Sequence, residues 1–246
     1  MNKIRQGFLV AALAVLPMAN AVAAEGDFSA TIGLKAWVNN WNSWNQTRSG
    51  ELANFLDPIV QNIESNNTDG WIPSFSMRYK NFLVGGSYFA KRGYDFGSHG
   101  FVDVKREEFD LSAGYYVLPT LAIIAGYKEV DQWFGEKFRY SGPIIGFSAS
   151  APLTGGFSLY GTAAVGPMDA RLPTASGIKK VDASYRLGEA GVAYVFDTGG
   201  SAGMKSVIGT LGYRSQAIVT KFDGTWSGQK GRDTTEGITV GIAAAF

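Results

Sequence analysis

The chain has 246 residues, a formal net charge of +1 and only 17 % charged residues, so strong attraction to nucleic acid is excluded. It holds no cysteine, which removes disulfide frameworks, thiol nucleophiles and cysteine metal sites. Beyond residue 24 no stretch approaches the roughly 18 consecutive apolar residues of a membrane-spanning helix; 32 glycines and many aromatics point instead to β-structure.

Residues 1–24 read as an address. Lys3 and Arg5 precede an apolar run over 8–16, and small residues follow as far as Ala24. That order is the pattern of a secretory signal peptide, and its apolar part is too short to span a bilayer. Cleavage is expected after Ala24, or alternatively after Ala23. Residues 25–246 then form one domain.

From Phe28 the chain alternates. Phe28, Ala30, Ile32, Leu34, Ala36 and Val38 fall on one face of a strand; Lys35, Trp37 and Asn39 fall on the other. Beyond it, "SGELANFLDPIVQNIES" over 49–65 sets Leu52, Phe55, Leu56, Ile59, Val60 and Ile63 at helical spacing. Ser49 suits a first cap, and Asp57 before Pro58 a second. One interrupted helix or two short ones are expected in this outside loop. Their apolar stripe would be buried at the barrel mouth, on the membrane surface or against a partner.

Less regular alternation covers 71–80 and 82–91. Alternation returns over 109–115, 121–127 (where Ile124 breaks it), 157–165, 190–196, 207–213 and 238–246, with an irregular segment at 139–151. These are ten strands of about the length that a tilted strand needs to cross a bilayer. Apart from the three less regular segments, their apolar faces carry no charge. Lys35, Arg78, Glu108, Asp110, Lys128, Glu189 and Arg214 all take the opposite parity, among Gly, Ser, Thr and Ala. A solvated outer surface would carry more lysine and glutamate, so small residues with scattered charges suit a lumen. The connections also alternate between short and long, with long ones at 129–138 and 167–181 among others, the asymmetry of transmembrane barrels. The expected fold is all-β, a closed antiparallel up-and-down transmembrane barrel of ten strands, with eight or twelve as alternatives.

On these features the chain resembles bacterial outer-membrane β-barrel proteins. Its end, "GITVGIAAAF", is similar to the family's last strand, with Phe246 terminal and Ala244 and Ile242 at alternate places before it. The resemblance implies residence in the outer membrane, contact with its lipid, and recognition of that strand by the barrel-assembly machinery. Closure also follows from physics, since an open sheet edge in lipid leaves backbone groups unpaired.

Some barrels of this class are enzymes, and their motifs do not match. The one histidine, His99, follows Ser98 on a long loop, whereas the deacylase type places His and Ser two residues apart on a strand. The Asp–Asp and Asp–His pairs of the protease type have no counterpart, and no histidine lies on the lipid face as the phospholipase type requires. With no second histidine or cysteine, neither a metal nor a cofactor is expected. Two functions remain: a narrow passive channel for small polar solutes or ions, or a non-conducting surface barrel whose outer loops bind a partner or support envelope integrity. The inward charges either pair with one another or tune passing ions. Ten strands lined by small residues leave some room but no wide pore. Trp37 and Trp41 share the inward parity, which makes them mouth aromatics that seat a loop or stack a solute; a register shift after Val38 would instead turn them into an interface girdle.

Overall fold

The computed structural model describes residues 28–47, 59–97, 103–174, 177–199, 203–221 and 230–246. The expected signal peptide lies outside them. The strands are β1 (Phe28–Thr47), β2 (Ile59–Glu64), β3 (Thr68–Tyr79), β4 (Phe82–Gly93), β5 (Lys105–Leu118) and β6 (Leu121–Phe134). They continue with β7 (Glu136–Pro152), β8 (Phe157–Thr174), β9 (Gly177–Asp197), β10 (Ser206–Lys221) and β11 (Lys230–Ala245). Each pairs antiparallel with its neighbours in the order β11-β10-β9-β8-β7-β6-β5-β4-β3-β1-β2, and β11 pairs with β1 to close the ring. Beyond Ala245 the closure continues, as Ala30 and Phe246 exchange both backbone hydrogen bonds, at 3.2 and 2.8 Å. Ile242, Ala244 and Phe246 lie opposite the first strand and face outward.

β2 and β3 form one stave. Both pair with β1, β3 from Phe28 to Asn39 and β2 from Asn42 to Thr47. Between them Asn40 and Trp41 face three residues, Ser65 to Asn67, so a bulge divides the stave. Ser65 spans it: its N–H donates to the Trp41 carbonyl at 2.8 Å and its Oγ accepts from the Trp41 N–H at 2.9 Å. The ring therefore has ten staves.

The expected loop helix is corrected here. Ile59, Val60 and Ile63 belong to β2, paired with the outer end of β1. The physical reason is that β1 runs to Thr47, and its outer edge would otherwise present a row of unpaired backbone groups. Leu52, Phe55 and Leu56 lie outside the described residues.

The strands also run further outward than apolar alternation indicates. In place of the expected loop over 129–138, β6 and β7 meet at a tight turn on Gly135, whose φ is +76°. β8 and β9 likewise continue through most of 167–181. Above the lipid the outward face meets water while inward Met168, Ala170, Val181 and Ala183 stay buried, so the apolar parity inverts while the ladder continues.

Burial inverts the pattern of a soluble barrel. Outward Ile32, Ile145 and Ile242 are 62 %, 58 % and 60 % exposed, whereas Lys35 and Lys128 are 3 % and 0 % exposed. Outward aromatics mark both edges of the apolar band, with Phe28, Tyr79, Phe82 and Phe196 at one and Trp71, Tyr88, Tyr127 and Tyr213 at the other. The wall is interrupted between β7 and β8. Pro143 and Pro167 come opposite each other in their register, and the ladder skips from Ser141↔Asp169 to Ile145↔Val165. Neither proline brings an N–H, so that rung cannot form.

Candidate functional site in the barrel lumen

The inward positions of β1, β5, β6, β9 and β10 place four cations and three carboxylates in one buried network. Lys35 on β1 pairs with Glu189 on β9. Arg214 on β10 reaches the other Glu189 oxygen at 3.4 Å and Gln216 Oε1 at 3.3 Å. Gln216 also accepts from the Tyr185 hydroxyl at 2.8 Å, and its Nε2 donates to Glu108 on β5. Glu108 accepts from Arg106 Nε at 2.7 Å and from Lys128 Nζ at 2.7 Å. Lys128 continues to Asp110 at 2.9 Å, and Asp110 accepts from Ser87 Oγ at 3.2 Å. Counted around ten staves, β5 and β10 are diametrically opposed, so the Gln216–Glu108 bond crosses the lumen.

Six of the seven charges that strand parity places inward, Lys35, Glu108, Asp110, Lys128, Glu189 and Arg214, meet in this network. Arg78 does not. It lies half-buried near the periplasmic end, its guanidinium 4.2 Å from the Tyr116 ring centroid and its Nε donating to the Lys80 carbonyl at 2.6 Å. Two members of the network are missed by the sequence reading although parity admits them. Arg106 lies two residues before Glu108 on the same face, and Gln216 two after Arg214.

Trp37 and Trp41 point into the lumen and are fully buried. Arg214 lies over Trp37 at 5.2 Å and Arg106 over Trp41 at 5.4 Å, so each tryptophan caps one cation of the network. Trp37 meets Phe89 edge-on at 5.7 Å. Trp41 is ringed by Tyr94, Phe96 and Phe134 at 5.3, 5.6 and 5.0 Å, with Ile63 packed against the cluster. The segment after β4 thus folds inward over the mouth, held by Tyr94 N–H to Val104 O at 2.9 Å and Tyr94 OH to Asn39 Oδ1 at 2.7 Å. Trp44 takes the opposite parity and lies half-buried on the outer wall. His99 lies outside the described residues.

Room for the rings comes from glycines. A methyl on Gly70 would stand 2.2 Å from Phe89 Cε2, and one on Gly212 would stand 2.4 Å from the Tyr160 hydroxyl. Toward the periplasm the lining turns to hydroxyls: Ser29, Thr31, Ser74, Ser76 and Ser206 are buried, with no partner for their side-chain oxygens among the described residues.

A closed ring with an apolar outward belt and a charged, buried interior defines a transmembrane β-barrel of the bacterial outer-membrane class. Among solved structures the chain is similar to the outer membrane protease OmpT from Escherichia coli. The two are 14 % identical over 89 % of this chain and 97 % of that one, with a TM-score of 0.56. A FadL homologue of Pseudomonas aeruginosa is 10 % identical over 94 % and 92 % of the two chains at a TM-score of 0.38. Neisserial surface protein A is 13 % identical over 90 % and 98 % at 0.33. The likeness to OmpT is one of fold alone. No family model and no curated protein matches the chain.

Proposed function

We propose that this protein is a non-conducting outer-membrane barrel, a rigid stave-work that presents its outer loops at the surface for partner binding or envelope integrity. The observation that carries this reading is the Gln216–Glu108 bond across the full lumen, within a network whose Lys35, Lys128, Arg106 and Arg214 are all buried. A water-filled pore would leave such charges hydrated. The Trp41, Tyr94, Phe96 and Phe134 cluster supports the reading from above, because it fills the mouth with rings. No catalytic role is included, and His99→Ala is expected to leave the protein's phenotype unchanged.

Purified full-length protein in planar bilayers tests the proposal. Baseline current without discrete steps is expected; regular steps from the unaltered protein would overturn it. A gated conduit is the second reading, favoured by the hydroxyl-lined stretch beneath the network, where Ser29, Thr31, Ser74, Ser76 and Ser206 suit water rather than packing. On that reading Lys35→Ala/Glu189→Ala would open steps in an otherwise silent barrel.

A further inference from the structure

We propose that the lumen corner formed by Trp37, Thr239 and Arg214 binds a chloride ion. Charge is the first observation. The buried network divides into two groups joined by neutral Gln216. In one, Glu108 and Asp110 serve Arg106 and Lys128, two carboxylates for two cations. In the other, Glu189 alone serves Lys35 and Arg214, and its contact with Arg214 is long at 3.4 Å. The next inward carboxylate on β11, Asp233, accepts from Trp41 Nε1 and lies six residues outward of Thr239, about 20 Å along the strand. One positive charge at this corner is thus uncompensated in a buried setting, which is unfavourable.

Hydrogen bonding is the second observation, and it falls at the same corner. Arg214 Nε and Trp37 Nε1 are buried donors with no acceptor among the described residues. The two side chains are stacked, with the guanidinium 5.2 Å from the Trp37 ring centroid. Thr239, also buried, lies directly opposite Trp37 and adds a hydroxyl. Buried donors without acceptors are rare in folded proteins and mark an ordered water or an ion. A water would accept from the donors and leave the charge uncompensated, whereas an anion answers both. Space restricts that anion to a single atom. Phe89 packs on Trp37, the Tyr160 hydroxyl fills the place of a side chain at Gly212, and the cavity alongside, at Lys35, Thr210 and Gly241, measures about 10 Å³, room for one water. Chloride fits this set, with one charge-assisted contact from Arg214 and two neutral donors beside it.

The test uses the full chain folded in phosphatidylcholine vesicles, with urea unfolding followed at constant ionic strength in sodium chloride, sodium gluconate or sodium sulfate. A ligand held only by the folded state raises stability with the logarithm of its concentration. The urea midpoint should therefore climb with chloride and stay flat in gluconate and sulfate, which are too large for the corner. Crystals grown in bromide should show an anomalous peak among Trp37, Thr239 and Arg214. Trp37→Phe keeps a ring and removes the donor, and should weaken the apparent chloride affinity about tenfold, the worth of one hydrogen bond to a charged group. Trp41→Phe should leave the affinity unchanged. Glu189→Gln enlarges the local positive excess and should strengthen chloride binding, a direction that loss of packing does not give. Each variant is compared with itself across the salts, so its basal stability does not enter. Equal midpoints in chloride and gluconate, or a chloride effect that sulfate reproduces, would overturn the site. So would a bromide peak elsewhere in the lumen, or an unchanged chloride dependence in Trp37→Phe. None of these outcomes depends on whether the lumen conducts.

Discussion

Gln216 on β10 donates to Glu108 on β5, and the two residues sit on diametrically opposed staves, 108 positions apart in the chain. Glu108 also holds Arg106 and Lys128, so it is the anion on which two buried cations converge. Its removal takes the paired carboxylate from buried Arg106 and leaves Lys128 with Asp110 alone, and breaking a buried pair from one side costs about 3–5 kcal/mol. Glu108→Ala is expected to lower the stability of the folded barrel by that amount, read from urea unfolding in phospholipid vesicles. Glu108→Gln, which keeps acceptor oxygen for Arg106, should cost less. Equal stability of Glu108→Ala and the unaltered barrel would show that water reaches the network.

The packing of Phe89 over Gly70 makes a second prediction. With a methyl at Gly70 set 2.2 Å from Phe89 Cε2, the ring must move, and its edge-on contact with Trp37 at 5.7 Å moves with it. Overpacking of this kind costs about 1–3 kcal/mol. Gly70→Ala should destabilise the barrel accordingly, and Gly70→Ala/Phe89→Leu should recover part of the loss. A destabilisation that Phe89→Leu does not relieve would point to backbone rather than ring as the obstacle.

The part of each strand that touches lipid is legible in the sequence. Ile32, Leu34, Ala36 and Val38 alternate with Lys35 and Trp37 because one side meets hydrocarbon and the other the lumen. Further out, Glu129 and Asp131 on β6 pair with Arg139 on β7 while the ladder continues, so the outward face there is charged and the lipid-facing alternation no longer marks the strand. Ile59, Val60 and Ile63 fit a helical spacing, yet the six residues Ile59–Glu64 also suit a short strand. The unpaired edge of β1 decides between the two, and that edge is known only once β1 is seen to reach Thr47. Arg106 is within reach of the sequence, since its parity matches Glu108. The Gln216–Glu108 contact is not, because only ring closure and strand count bring those staves face to face.

Lys80 stands at the first position of the two-residue turn between β3 and β4, with φ of +54°, beyond the Tyr79↔Phe82 pair. A left-handed conformation costs a side-chain-bearing residue about 1–2 kcal/mol, and glycine adopts it freely. Lys80→Gly is therefore expected to stabilise the barrel by about 1 kcal/mol, part of the gain being returned to the freer unfolded chain. The backbone carbonyl that Arg78 Nε donates to is retained in this variant. A lower urea midpoint for Lys80→Gly would mean that the lysine side chain contributes more than the backbone strain removes, for example through its 5.4 Å approach to the Tyr79 ring.

Trp41 and Trp44 lie three residues apart on β1 and face opposite media. Trp41 is fully buried against Tyr94, Phe96 and Phe134, and its Nε1 donates to Asp233 at 3.3 Å. Truncating a buried aromatic of this kind costs about 3–5 kcal/mol. Trp44 is half-buried on the outer wall, with Arg232 at 5.9 Å, and exposed cation–π contacts are worth about 0.5–1 kcal/mol. Trp41→Ala should thus cost several times what Trp44→Ala does in vesicle unfolding. It should also loosen the inward fold of the segment after β4, because Tyr94 and Phe96 lose the ring they pack on. Faster proteolysis after Gly93 in Trp41→Ala, with Trp44→Ala unchanged, is the expected readout. Equal costs for the two variants would mean that the mouth cluster adds little to the stability of the outer end of the barrel.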